Sequence, residues 1–237
     1  HSIGKVLKEQ GYNVISLDRD LGPVSKLYDY TADNHIMEDI MTWDYKIYPV
    51  GHFDIITASP VCAWWSAMRR CTCSKEKIET DINLYGKPMI NKVIEIIEYF
   101  KPPKYWIENP QTGSMKDYMK VKYPQYHNKN IVVDYCSYSD TIGYQKRTIF
   151  WTNSKMKPKL CQKDLCPNKI NGRHRINMAC NQYIIKDEKK IFINTKALRE
   201  QYKGHEVLKQ AKTKNKYDRY KIPFKLIENL LLGFNTT

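Results

Sequence analysis

Residues 88–110 read "PMINKVIEIIEYFKPPKYWIENP". Val93, Ile96, Ile97 and Phe100 recur at helical spacing, and Pro102 and Pro103 close the pattern. "KYWIENP" (104–110) then reads as a strand with a sharp end. Upstream, "FDIITAS" (53–59) is a second strand: Ile55, Ile56 and Thr57 are β-branched and Phe53 adds an aromatic ring. Strand, helix and strand in that order predict an open α/β sheet with mostly parallel strands.

The pattern extends in both directions. "GKVLKEQGY" (4–12) is a short amphipathic helix stopped by Gly11, and "NVISLDRD" (13–20) a strand ending in acidic residues. "IMEDIMTWDY" (36–45) reads as a short strand and turn. "NIVVDYC" (130–136) and "RTIFWTN" (147–153) are later strands. From Lys155 to Lys216 periodicity fades into a Lys/Asn-rich stretch, expected to be a small basic subdomain or loops. "YKIPFKLIENLLLGF" (220–234) restores a helix, with Pro223 at its first turn and Gly233 near its end. The opening "HSIGKVLKEQGY" looks like a helix start rather than a signal peptide. A helix with no strand before it predicts that upstream sequence is missing or rearranged.

The chain has 237 residues, 39 Lys+Arg against 25 Asp+Glu, and a formal net charge of +14. That is enough length for one sizeable core, and no apolar run approaches a membrane span. Such an excess of cations points to a polyanionic partner, with nucleic acid the leading candidate. The competing explanation is a Lys-, Asn-, Ile- and Tyr-rich composition inherited from an AT-rich genome. Seven scattered cysteines, an odd number, argue for reduced thiols in a cytosol-like compartment rather than a secreted disulfide framework.

In an open α/β sheet, ligands gather at the carboxyl ends of the strands. Asp18 follows "VISL", Cys62 follows "IITASPV", and Glu108 and Asn109 follow "YWI"; Gln145 and Arg147 lie on the approach to "TIFW". A thiol in such a turn is reactive if positive neighbours lower its pKa, and Arg69 and Arg70 follow closely. A buried structural cysteine is the other reading of Cys62, as a turn or cap residue is of Glu108.

The ordered set "FDIITASPVC" (53–62), "PMINKVIEIIEYFKPPKYWIENP" and "IGYQKRTIFWTN" (142–153) resembles the cytosine-C5 DNA methyltransferase family, and its short virus- or phage-type members above all. That family has a nucleophile loop after a strand, a later strand ending Glu-Asn, and a Gln-x-Arg segment entering another strand. The chain departs from it in places. Val61 and Ala63 flank Cys62, with Pro60 one residue further back. Thr148 replaces a second arginine, and most of the glycine-rich cofactor loop is absent.

The resemblance implies a Rossmann-like, mostly parallel sheet of the S-adenosylmethionine-dependent methyltransferase fold. A catalytic domain would span 1–154 and 217–237, with a small target-recognition subdomain at 155–216. It implies methyl transfer from S-adenosyl-L-methionine to carbon 5 of a flipped-out cytosine in double-stranded DNA. Cys62 would be the covalent nucleophile and Glu108 would contact or protonate N3. Arg147 would stabilise developing charge, Asn109 would position the loop, and Gln145 belongs to the same catalytic set. The cofactor would lie on Ser2, Gly4, Asp18, Arg19, Asp39, Ile40 and Pro60. The stretch 63–87, "AWWSAMRRCTCSKEKIETDINLYGK", would be a mobile loop closing over substrate, with Trp64 and Trp65 as wedges or as core. The setting implied is the cytoplasm, a viral factory or a nucleoid, without membrane or obligate protein partner. A catalytically idle nucleic-acid-binding module and an RNA cytosine-C5 methyltransferase remain alternatives.

Cys161, Cys166, His174 and Cys180 follow C-x4-C, then seven residues to His and five to Cys. They are candidate zinc ligands, in a looser spacing than that of recognisable zinc fingers. The other reading is no metal, with free thiols in a reduced compartment.

Overall fold

The computed structural model describes residues 2–19, 35–139, 144–162, 165–170, 173–174, 182–192, 200–206, 208–209 and 221–235. Helix α1 (Ser2–Glu9) leads to a parallel pair of two-residue strands, β1 (Ser16–Leu17) and β2 (His35–Ile36). The central sheet follows. It contains β3 (Ile55–Ala58), β4 (Lys104–Pro110), β5 (Asn130–Asp134) and β6 (Arg147–Thr152), in the order β3-β4-β6-β5.

Strand β3 pairs with β4 in parallel, and β6 pairs antiparallel with both β4 and β5. Strands β3, β4 and β5 therefore run one way and β6 alone runs back: the α/β architecture holds, but only one of the three pairings in this sheet is parallel, where mostly parallel strands are expected. No crossover helix lies between β5 and β6 in the described part of their connection, which holds only the 3-10 turn Tyr135–Ser137. A return without a crossover is antiparallel.

Helices cover both faces. On one face Trp106, Val133 and Phe150 pack with Val6 of α1 and with Leu226, Ile227 and Leu230 of α6 (Phe224–Leu232). On the other, Ile107, Ile149 and Trp151 pack against Ile90, Val93, Ile94 and Ile97 of α3 (Lys87–Phe100), and against Met115 and Met119 of α4 (Met115–Lys122). The alternation of 106 with 107 and of 150 with 149 and 151 is the period-2 consequence of a strand buried on both sides. Each of these large side chains contributes about 1.5–3 kcal/mol by burial. Helix α3 ends on Lys101 in the left-handed region (φ 49°), its N–H donating to Ile97 O, before the two prolines forbid another turn.

The stretch 63–87 differs from the expected mobile loop. It folds into 3-10 turns at Ala63–Trp65 and Ala67–Cys71, helix α2 (Lys75–Asp81) and a π-turn (Ile82–Gly86) that runs directly into α3. Ser74 caps α2 by accepting from Lys77 N–H at 3.2 Å, and Asp81 takes Arg69 and, at 3.5 Å, Lys77. Its apolar anchors are irregularly spaced, so a periodic pattern does not reveal them.

After β6 the chain turns back. Ser154 Oγ donates to Leu230 O at 2.7 Å, and Met156 enters the α1/α6 core. Lys159 O accepts from Asp134 N–H at 3.2 Å. The strap thus starts beside Trp106 at the beginning of β4 and finishes at the end of β5.

Between 155 and 216 the described residues form a short antiparallel pair, β7 (Lys169–Ile170) and β8 (Arg173–His174). They also form a three-stranded antiparallel sheet of β9 (Gln182–Lys186), β10 (Lys189–Phe192) and β11 (Leu208–Lys209), in the order β10-β9-β11. Among the described residues no helix is long and apolar enough to cross a membrane.

Candidate active site

Because β6 is reversed, its first residue lies at the same edge as the carboxyl ends of β3, β4 and β5. That edge carries Cys62, Glu108, Asn109, Asp134, Gln145, Lys146 and Arg147. The apparent mismatch between strand exits and a strand entrance is resolved by topology.

Register then sorts these residues by face. Glu108 sits opposite Phe150, Asn109 opposite Ile149, and Asp134 opposite Arg147. Directly paired residues share a face, and faces alternate along each strand. Arg147 and Asp134 therefore lie on the face of Asn109, while Lys146, one residue away, turns toward Glu108.

The contacts follow. Lys146 Nζ donates to Glu108 Oε1 at 3.4 Å, and the Tyr135 hydroxyl donates to the same oxygen at 3.2 Å. Burial, with the Glu108 charge, pushes the Tyr135 phenol far above its usual range, so it remains a donor. Burial also pushes the Cys62 thiol up; Lys146 acts against this and Glu108 adds to it. Cys62 is thus within electrostatic reach of the Glu108–Lys146 pair. Arg69, the cation expected to activate it, is committed to Asp81. Arg147 instead forks onto Asp134, Nε to Oδ1 at 3.1 Å and Nη2 to Oδ2 at 2.8 Å. Gln145 also donates to Asp134. Burial pushes the Asp134 carboxyl up, but the bonds from Arg147, the Cys161 N–H and Gln145 outweigh it and hold it below its usual range. The structure therefore brings together Cys62, Glu108 and Lys146, and separately Gln145, Arg147 and Asp134.

The nucleophile turn is braced from β4. Asn109 Nδ2 donates to Pro60 O at 3.0 Å, and Ser114 N–H donates to Trp65 O at 3.0 Å. Trp65 is buried and stacks on Tyr118, with centroids 5.6 Å apart, whereas Trp64 stacks on Tyr85 at 4.9 Å. Gly86 allows this: a Cβ there would lie 2.9 Å from Trp65 Cζ2.

Of the residues expected to hold a cofactor, Asp18, Arg19, Asp39 and Ile40 gather around β1 and β2, Ser2 and Gly4 lie in α1, and Pro60 follows β3. Asp18 leaves β1 with its N–H on Ile36 O at 3.1 Å, and its side chain is exposed. Arg19 lies 3.8 Å from the Asp39 carboxylate, whose Oδ1 accepts Met41 N–H at 2.9 Å. Ile40 and Ile56 of β3 pack against the same two buried clusters, bringing this turn against the main sheet. The exposed Asp18 carboxylate and the half-buried Asp39 and Ile40 suit a ribose diol and the apolar face of a base. Buried Asn109 Oδ1 has no hydrogen-bond partner among the described residues and is a further acceptor at the sheet edge. Gly4 lies within α1, where a Cβ would meet Val14 Cγ1 at 3.7 Å, and Ser2 opens that helix.

Of the four candidate metal ligands, Cys180 lies outside the described residues. Cys161, Cys166 and His174 come together, and with them comes Cys136, which follows β5. Lys146, Tyr135, Asp134 and Cys136 were not singled out from sequence. A signal existed for Lys146 and Cys136: one alternates with its Gln and Arg neighbours, and the other ends a strand on a thiol.

No family model matches the chain. It is similar to the probable DNA (cytosine-5)-methyltransferase of Frog virus 3 (isolate Goorha), at 36% identity over 177 residues, covering 71% of this chain and 74% of the relative.

Proposed function

We propose, for a chain that belongs to the cytosine-C5 DNA methyltransferase family, a complete mechanism in which Cys62 forms a covalent adduct with a cytosine flipped out of duplex DNA. The observation that carries this reading is that the Asn109–Pro60 bond holds the turn of Cys62 against the end of β4, where Glu108 pairs with Lys146.

Carbon 5 of cytosine is a poor nucleophile. Addition of the Cys62 thiolate to carbon 6 converts the ring to an enamine, in which carbon 5 is nucleophilic. The Cys62 proton passes to solvent, and the electron density shifted onto the ring is relieved by a proton that Glu108, held by Tyr135 and Lys146, delivers to N3. After carbon 5 is methylated, loss of its proton and expulsion of the thiolate restore the aromatic ring. Burial of Cys62 keeps it protonated at rest, so thiolate formation accompanies substrate entry, with Lys146 as the stabilising cation. A stacked base cannot offer carbon 6 to a side chain, which requires flipping. Arg147 and Gln145 organise Asp134 on the opposite face, at the rim where the recognition segment 155–216 begins.

S-adenosyl-L-methionine would be held by Asp18, Arg19, Asp39, Ile40 and Pro60, with Ser2 and Gly4 at the start of α1. When bound, it supplies an electrophilic methyl group. Three co-directional strands and one reversed strand, with helices on both faces, support a Rossmann-like methyltransferase fold over 1–154 and 217–237. The family favours DNA over RNA, and an intact thiol–carboxylate–ammonium group favours an enzyme over an idle module.

The test is trapping. A duplex containing 5-fluorocytosine, with S-adenosylmethionine, should give a denaturant-stable adduct at Cys62 that is absent in Cys62→Ala. An adduct that persists in Cys62→Ala, or none in the unmodified protein, overturns the mechanism.

A further inference from the structure

Cys136, Cys161, Cys166 and His174 come from three separate pieces of chain. Their ligand-type atoms all lie within 4.8 Å of one another. Nε2 of His174 is 3.4 Å from Cys161 Sγ and 3.6 Å from Cys166 Sγ. For zinc with Zn–S of about 2.3 Å and Zn–N of about 2.0 Å, the sulfur–nitrogen edge of a tetrahedron is about 3.5 Å. The two observed distances bracket that edge. None of the three cysteines is in a disulfide.

The backbone around the group is built to hold it. Cys166 O accepts from Lys169 N–H at 3.0 Å, turning the chain into β7; β8 returns and pairs His174 with Lys169. Fully buried Asn168 donates to Cys136 O at 3.0 Å and to Ser139 O at 2.9 Å, clamping this turn onto the one that carries Cys136. Cys161 N–H donates to Asp134 Oδ2 at 2.9 Å. Cys136 and Cys166 are buried and the other two half-buried, as expected of a closed site rather than an open catalytic one.

We propose that Cys136, Cys161, Cys166 and His174 form a structural zinc site, with Cys136 in place of Cys180 as the fourth ligand. Three soft thiolates and one imidazole in a tetrahedron select zinc over magnesium or calcium. On binding, the three thiols lose their protons to solvent. The ion cross-links the turn after β5 to the segment after the return strap, and so fastens the start of the 155–216 region to the central sheet. A region of short strands gains order from such a link that it cannot draw from its own core.

The test is metal content of the full chain, purified without chelator and measured by plasma mass spectrometry. About one zinc per chain is expected for the unmodified protein and for Cys180→Ser, and less than about a fifth for Cys136→Ser. A zinc-free unmodified protein overturns the proposal, as does full zinc in Cys136→Ser with loss in Cys180→Ser. Because Cys136→Ser removes a buried ligand and can fail to fold, a second measurement uses the unmodified chain alone. Alkylation followed by peptide mass spectrometry should find Cys136, Cys161 and Cys166 protected until a chelator is added, with the labelling of Cys180 unchanged by the chelator. Unchanged labelling of Cys136 on chelation overturns the assignment. Neither readout depends on methyl transfer.

Discussion

The ammonium of Lys146 lies 3.4 Å from the carboxylate of Glu108, while the next residue, Arg147, turns to the other face and grips Asp134. The adjacent cations thus have different tasks. Lys146 belongs to the thiol's electrostatic surroundings and Arg147 to a buried carboxylate's.

Alkylation of Cys62 as a function of pH separates the two influences on the thiol. Its pKa is raised by burial, opposed by Lys146 and reinforced by Glu108. The iodoacetamide profile, followed on the Cys62 peptide, should lie at higher pH than that of an exposed cysteine. Lys146→Met should move it further up and Glu108→Gln should move it down. Shifts of the same sign would contradict this arrangement.

Asp134→Asn removes a fully buried charge from beneath Arg147, whose side chain is 42% exposed. Loss of the fork should destabilise the fold by about 2 kcal/mol in urea titration, the low end for a broken buried pair because Arg147 retains water. The folded carboxyl titrates below its unfolded value. Its contribution is therefore present above the ordinary carboxylate pKa and lost as pH falls through the folded one. Stability of the unmodified protein should fall below about pH 4 more steeply than that of Asp134→Asn.

Gly86→Ala places a methyl group 2.9 Å from Trp65 Cζ2. The overlap should cost about 1–3 kcal/mol. Trp65→Phe, which vacates that volume, should cost less in the Gly86→Ala background than in the native one. Additive costs in chemical denaturation would show that the two residues do not share a wall.

Asn109→Ala cuts the bond to Pro60 O. Stability should drop by about 1 kcal/mol. The larger effect should be on chemistry: methylation kcat should fall by up to about 100-fold with KM for DNA nearly unchanged, because the thiol's turn loses its brace. A loss confined to KM would reassign Asn109 to binding.

Local pattern sufficed wherever one element decided the outcome. Strand "KYWIENP" occupies Lys104–Pro110, and the helix closed by Pro102 and Pro103 ends at Phe100. The sheet edge was legible for the same reason, since Cys62, Glu108 and Asn109 each follow an apolar strand. What stayed hidden required pairing between distant segments. Only the register of Glu108 against Phe150 shows that Lys146, rather than Arg147, faces the acid. Cys136 was missed as a ligand because spacing rules look along the chain, and it stands far upstream of Cys161. The helical turns after Cys62 escaped because Trp65, Ile82 and Gly86 obey no period; they are held by contacts with α3 and α4.

The return strap that ends beside Asp134 has a consequence for how such proteins diversify. Sequence inserted beyond Cys161 leaves from the sheet edge that carries Glu108, and the strap before it is tied to Asp134 at the end of β5. Segments of differing length can be accommodated at that port while the sheet beneath stays the same.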